Sequence, residues 1–331
     1  MDWEKKVLRL GAAVLVTALL LRLLGSIPGT VTRALTSPDL TAALVYMETG
    51  RLIKPMPEAT AATQVPEQTE ETVPPETETT PEQTEAPALP VFSSSDAKQV
   101  KVNNVCGLKA NVKSLLKQKL TWNLKSDQPT VLIVHTHATE GYKGTSGYRS
   151  KSVKKNMVAI GAELKKVLEK EGISVLHDKT LHDSPSYNDA YNNARKSIQK
   201  YLEKYPSIQL VLDIHRDAVA DENGKQMKFT KKVKGVSTAQ LMLVVGTDAA
   251  GLYHPNWQDN MALAVKLHAQ LERNNSGICR SISFRTQRFN QDLSPGALIV
   301  EVGSAGNTQK EALAAAKLLG QAVIDLAGGT G

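Results

Sequence analysis

Three short runs limit what this chain can fold into: VLIV (131–134), QLVLDI (209–214) and ALIV (297–300). Each has strand length and is apolar almost throughout, so each reads as a buried strand. Helical periodicity fills the spaces between them. In NMVAIGAELKKVLEKEG (156–172), apolar residues recur at Met157, Ile160, Leu164, Val167 and Leu168, and Gly172 supplies a stop. Residues 188–205, 256–277 and the run TQKEALAAAKLLGQAVIDLA also read as helices. ISVLHD and ICRSISFRTQRF read as shorter strands, and KQMKFTKKVKG with STAQLMLVVG as two more, paired in a hairpin. Strands alternating with helices predict an α/β fold, with a mostly parallel central sheet flanked by helices.

The first ninety residues have a different character. LGAAVLVTALLL (10–21) is uncharged, and Val7 to Ile27 provides the about 20 residues needed to cross a bilayer core, with Arg22 near the outer end. Lys5, Lys6 and Arg9 favour a cytoplasmic N-terminus. A cleaved signal peptide is the competing reading, but no clean A-x-A site follows the apolar core. Residues 1–28 are therefore expected to be a single-pass transmembrane anchor and 29–57 a membrane-proximal segment. Residues 58–90 carry eight glutamates and no Lys, Arg or aromatic residue, a composition that cannot offset the entropy of folding. A disordered acidic linker is expected over 58–94, holding a domain at 95–331 outside the cytoplasm. Residues 91–331 carry 33 basic and 21 acidic residues, a balance of +12. An exported basic domain suits an anionic wall polymer, and its compartment argues against nucleic acid.

Ligands of open α/β sheets gather at the carboxyl ends of the strands. Here the three buried runs lead into His135 and His137, into His215, and into Glu301. His137, Glu140 and His215 make a two-histidine, one-carboxylate set of the kind that holds a catalytic Zn2+ with one position open. Glu301 is the candidate for the acid that takes the proton of a metal-activated water and gives it to a leaving amine. Alternation by two puts His135 and His137 on one face, so either is a candidate ligand, with His137 nearer Glu140. Asp213 is placed to orient a ligand, and His254 to line the rim. No G-x-S-x-G elbow or phosphate-binding glycine motif is present, and neither Cys106 nor Cys279 stands beside a base. Whether the two cysteines pair stays open.

Together, HTHATEGY, LDIHRDA, HPNWQDNMALA and RFNQDLSPGALIVEVGSAGN, with the anchor and acidic linker, resemble the stage II sporulation protein P family. These are membrane-anchored cell-wall hydrolases of endospore-forming bacteria. The strand ends also resemble those of zinc-dependent N-acetylmuramoyl-L-alanine amidases. His137 matches their first histidine, with His135 in place of an aspartate. His215 matches the second histidine, and Glu301 with Gly303 and Asn307 matches the closing element. The amidase pattern sets a ligand glutamate at the start of the helix after the first strand. This chain has SVKKNM there, so Glu140 must substitute from an earlier loop. The resemblance implies a zinc amidase-like fold and cleavage of the amide between the glycan's lactyl group and L-alanine of peptidoglycan, with endopeptidase activity on cross-links. It also implies action in forespore engulfment, in the intermembrane space, beside a lytic transglycosylase of the stage II sporulation protein D type. Arg216, Arg285 and Arg288 are then expected to meet stem-peptide carboxylates, and Asn290 and Gln291 the peptide backbone. A non-catalytic wall-binding or activator protein on the same scaffold is the alternative.

Overall fold

The computed structural model describes residues 90–328, Thr121 apart, all within one compact unit, Glu82–Gly331. The expected anchor, the membrane-proximal segment and most of the linker lie outside the described residues. The elements in chain order are α1 (Ser94–Gln99), β1 (Val102–Asn104), α2 (Val112–Lys117), β2 (Val131–Val134), α3 (Met157–Lys170) and β3 (Val175–His177). They continue with α4 (Ala190–Lys204), β4 (Leu210–Asp217), β5 (Thr230–Val233), β6 (Val236–Ala239), β7 (Leu241–Val245), α5 (Trp257–Asn274), β8 (Ile282–Phe284), β9 (Ala297–Ser304) and α6 (Gln309–Leu326).

Seven strands form one sheet in the order β1-β8-β7-β9-β4-β2-β3. Five of its six pairings are parallel, and β7 against β9 is the antiparallel exception. Strands of a parallel sheet are covered on both faces, which explains why VLIV is buried at every position. Val131 and Ile133 enter the large core with α3, α5 and α6, whereas Leu132 and Val134 pack with Ile198, Tyr201 and Leu202 of α4. The same alternation puts Leu210, Leu212 and Ile214 on the first face and Val211 on the α4 face. Successive side chains of a strand point to opposite faces, so Asp213 and His215 follow Val211. In β9, where Ala297 lies on the α4 face and Leu298, Val300 and Val302 on the other, Glu301 follows Ala297.

The helices begin where their sequences say they should. The Asn156 side chain accepts from the Val158 amide and starts α3. Thr308 and Glu311 form a reciprocal capping box at α6, worth about 1 kcal/mol. Gly161, inside α3, passes so close to the sheet that an added Cβ would lie 2.7 Å from both His135 and His177.

Two sequence expectations need adjustment, and one question left open is answered. The folded domain begins before residue 95: Phe92 packs on the core, Ser93 caps α1 in a box with Asp96, and Arg273 grips Asp96 at 2.7 Å. STAQLMLVVG is two strands, with β6 closing the β5 hairpin and β7 crossing into the main sheet after Gln240. Cys106 and Cys279 are both free thiols.

Candidate active site

The site lies at the carboxyl ends of β2, β4 and β9, on the α4 face. His215 and Glu301 are direct register partners on adjacent parallel strands, so both side chains leave the sheet together. His137 arrives from the turn after β2. Its ring centroid is 5.4 Å from that of His215, nearly perpendicular. Glu140, in the same turn, places Oε2 3.6 Å from His215 Nδ1. The structure thus gathers His137, Glu140, His215 and Glu301.

His135 goes elsewhere. The alternation that would align it with His137 fails because β2 stops at Val134. The Asp213 carboxylate accepts from both the amide and the hydroxyl of Thr136, which turns the chain between the two histidines. His135 stays on the α3 face, with Nδ1 3.0 Å from the Ile214 carbonyl and Nε2 2.8 Å from His177 Nε2. Both of its ring nitrogens are thereby engaged, which removes it from the ligand candidates.

Electrostatics tie the remaining residues together. His215 Nε2 is 2.9 Å from Asp213 Oδ1, a short ion pair although off the line of a good hydrogen bond. Burial pushes the His215 imidazole down, but Asp213, with help from Glu140 and Glu301, outweighs it and carries the ring up to about 10. Burial pushes the Glu301 carboxyl up to about 8 against the pull of His215. Burial also raises Glu140 and lowers His137 to about 4. Among buried polar atoms, His137 Nδ1 and Glu301 Oε2 have no hydrogen-bond partner. Such atoms cost about 1–3 kcal/mol each and mark a place where a partner belongs.

Two imidazoles and a carboxylate, with an unpartnered buried nitrogen, are chemically suited to a zinc-type ion. As placed, however, no group of three His, Cys, Asp or Glu side chains among the described residues is set to hold one. Binding a metal would have to draw the donors inward.

Most of the expected substrate contacts are used internally, and Arg285 is exposed. Arg216 is buried, and its guanidinium donates to the carbonyls of Gly141 and Tyr148 while lying 3.7 Å from Glu140. Its own amide donates to Glu140 Oε2, so Arg216 positions the glutamate instead of facing solvent. Asn290, with left-handed backbone, donates to the Tyr191 carbonyl. Arg288 pairs with Asp292 at 3.4 Å. Gln291 holds the Gly246 amide and the Val244 carbonyl. His254 is buried among Asp292, Asp248 and Arg288 rather than beside Glu140 or Glu301.

Four residues against the site escaped the sequence reading. Tyr187 stacks on His137 at 4.2 Å, and Tyr191 meets it edge-on at 5.5 Å. Asp183 accepts from the Thr139 amide and hydroxyl and from Arg149. The signal for the tyrosines was present: YNDAY opens a helix that covers the face on which His215 emerges.

Residues 42–324 match the family described as Stage II sporulation protein P (SpoIIP). Stage II sporulation protein P of Bacillus subtilis (strain 168) is 29% identical over 205 residues, covering 56% of this chain and 48% of that protein. The chain thus spans about half the length of the curated relative it matches. Similar solved structures include the N-acetylmuramoyl-L-alanine amidase AmiC2 of Nostoc punctiforme, at 16% identity and TM-score 0.37 over 60% of this chain and 94% of that one. The N-acetylmuramoyl-L-alanine amidase of Clostridium difficile 630 gives 16%, 0.36, 60% and 97%. These likenesses are too distant to carry the chemistry of the site.

Proposed function

The chain belongs to the Stage II sporulation protein P family, and on that premise we propose that it is a zinc-dependent peptidoglycan hydrolase acting in sporulation. The bond is the amide between N-acetylmuramic acid and L-alanine, with cross-links as a second target. The observation that carries this reading is the meeting of His215, Glu301, Glu140 and His137 from three separate chain segments at one sheet edge.

His137, Glu140 and His215 would hold the ion. When bound, zinc lowers the pKa of a water to about 7 and polarises the scissile carbonyl. Glu301 has the remaining task. Its unpartnered Oε2 accepts the water's proton and delivers it to the amine that leaves. Asp213 fixes the His215 ring from behind, and Arg216 fixes Glu140. Tyr187 and Tyr191 wall His137 on two sides and shield the reacting centre from bulk water. An N-terminal anchor, an extracytoplasmic setting and a partnered glycan-cutting lytic transglycosylase complete the proposal.

Mass spectrometry of wall sacculi digested with the purified protein tests it. Stem peptides with a free L-alanine amine are expected, and a chelator should abolish them. His137→Ala and His215→Ala should lose bound zinc by elemental analysis. Turnover that persists in Glu301→Ala, or product release indifferent to chelation, would sink the mechanism. Binding to sacculi without any product would favour a wall-binding scaffold, a reading that the open donor arrangement leaves room for.

A further inference from the structure

The arginine that reaches open space near the site is Arg149. An isolated antiparallel bridge sets it directly opposite Glu140, with the Gly141 amide on the Tyr148 carbonyl at 2.8 Å and the Ser150 amide on the Thr139 carbonyl at 2.7 Å. Its Nη2 donates to Thr139 Oγ1 and to Asp183 Oδ2, each at 2.6 Å. The Asp183 side chain has no exposed surface, whereas that of Arg149 is 37% exposed. The buried carboxylate therefore locks one edge of the guanidinium. Nη1 and Nε make no hydrogen bond among the described residues and remain available.

Arg149 borders a cavity of about 550 Å³ lined by Thr139, Lys151, Asp183 and Tyr187, among others. That cavity adjoins the site through Tyr187. The guanidinium lies 4.8 Å from the Tyr187 ring centre, and the same ring stacks on His137 at 4.2 Å. With Asp183 sealed behind Thr139 and Arg149, the charge shown to the cavity is that of Arg149 and the exposed Lys151.

We propose that this cavity is a specificity subsite, in which Arg149 and Lys151 bind a carboxylate of the stem peptide one or two residues from the bond that is cut. The proposal rests on the hydrolase reading above and adds to it the part of the substrate that is recognised. Extended peptide advances about 3.3–3.6 Å per residue, so a carboxylate one or two residues beyond an amide at His137 falls one aromatic ring away, where Arg149 stands. A guanidinium already held through Nη2 loses little freedom when Nη1 or Nε donates to a carboxylate in a charge-assisted hydrogen bond. Of the arginines expected for this task from sequence, Arg216 is spent on holding the site together and Arg288 pairs with Asp292.

The test compares two soluble muramoyl-dipeptides, identical except that the second residue carries a free carboxylate in one and a carboxamide in the other. Their binding to the full-length Glu301→Gln protein is measured by calorimetry, so the readout does not depend on turnover. The carboxylate form should bind at least about tenfold tighter, the size expected for a charged hydrogen-bonded pair. Arg149→Gln alone would strand the buried Asp183, so Arg149→Gln/Asp183→Asn removes both charges, and Lys151→Gln tests the cavity without touching the buried pair. The preference should fall towards one in the double variant and shrink in Lys151→Gln. No preference in the parent protein, or one that survives the double change, overturns the subsite. If the preference follows Arg149 while the Glu301-containing protein releases no product from sacculi, the subsite stands and the hydrolase reading fails. Turnover without carboxylate preference has the opposite meaning.

Discussion

Glu301 stands beside His215 as its register partner across two parallel strands, with Oε2 buried and without a hydrogen bond. Burial holds its carboxyl up at about 8, so the site keeps a proton acceptor poised near neutrality. Glu301→Gln keeps the shape and removes the basicity. Activity on sacculi should fall about 10²–10⁴-fold, the usual worth of a positioned acid–base group. Thermal unfolding at pH 7 should be little changed, since a carboxyl held at about 8 is already mostly neutral there and Gln keeps both shape and neutrality. A variant that unfolds early would mean that Glu301 is structural.

Arg216 should matter to stability more than a surface arginine does. Arg216→Ala takes the compensating charge from buried Glu140 and the donor from the Gly141 carbonyl, while Glu140 keeps the residue-216 amide and the Tyr148 carbonyl keeps the Gly141 amide. Removing one member of such a buried set costs about 3–5 kcal/mol. Urea unfolding monitored by circular dichroism should show a midpoint shifted down accordingly. A shift under about 0.5 kcal/mol, the size expected at an ordinary surface position, would show that Glu140 is held by other means.

Gly161→Ala sets two effects against each other. Alanine in a helix interior gains about 1 kcal/mol over glycine. Here its methyl would meet His135 and His177 at 2.7 Å, and overpacking a filled site costs about 1–3 kcal/mol. The clash should win, with net destabilisation of up to about 2 kcal/mol in denaturant titrations. A more stable variant would show that the imidazole pair yields easily.

The Asp96–Arg273 pair gives the domain a signature in acid. The hydrogen bond from Arg273 holds the Asp96 carboxyl at about 2, below its ordinary 3.8. A group lowered on folding stabilises fully above the unfolded value, and that contribution disappears as pH falls through the folded one. Between pH 4 and 2, wild-type stability should therefore decline more steeply than that of Asp96→Asn. Equal slopes in urea midpoints over that window would remove Asp96 from the acid response.

The sheet and its covering helices were readable because long apolar periodicities leave few alternatives. VLIV admits no polar face, and α3 repeats its apolar positions for three turns. The end of a strand is a weaker signal. The period-two rule carried His135 and His137 to one side, while Asp213, 77 residues away in sequence, bent the chain between them through Thr136. Contacts between distant segments also decided the arginines. Arg216 looked available because nothing in LDIHRDA shows that carbonyls at 141 and 148 wait for it. Arg149, in a loop without periodicity, acquired its setting only from Asp183 and the bridge to Glu140.

The place of β9 in the sheet has a consequence for the timing of danger. This strand is the last in the sequence, yet it inserts at the middle, between β4 and β7, and brings Glu301 with it. A polypeptide still emerging from the ribosome, or clipped anywhere ahead of residue 297, lacks both the central plank and the acid. On the hydrolase reading proposed above, the chain would stay inactive until synthesis had passed that point.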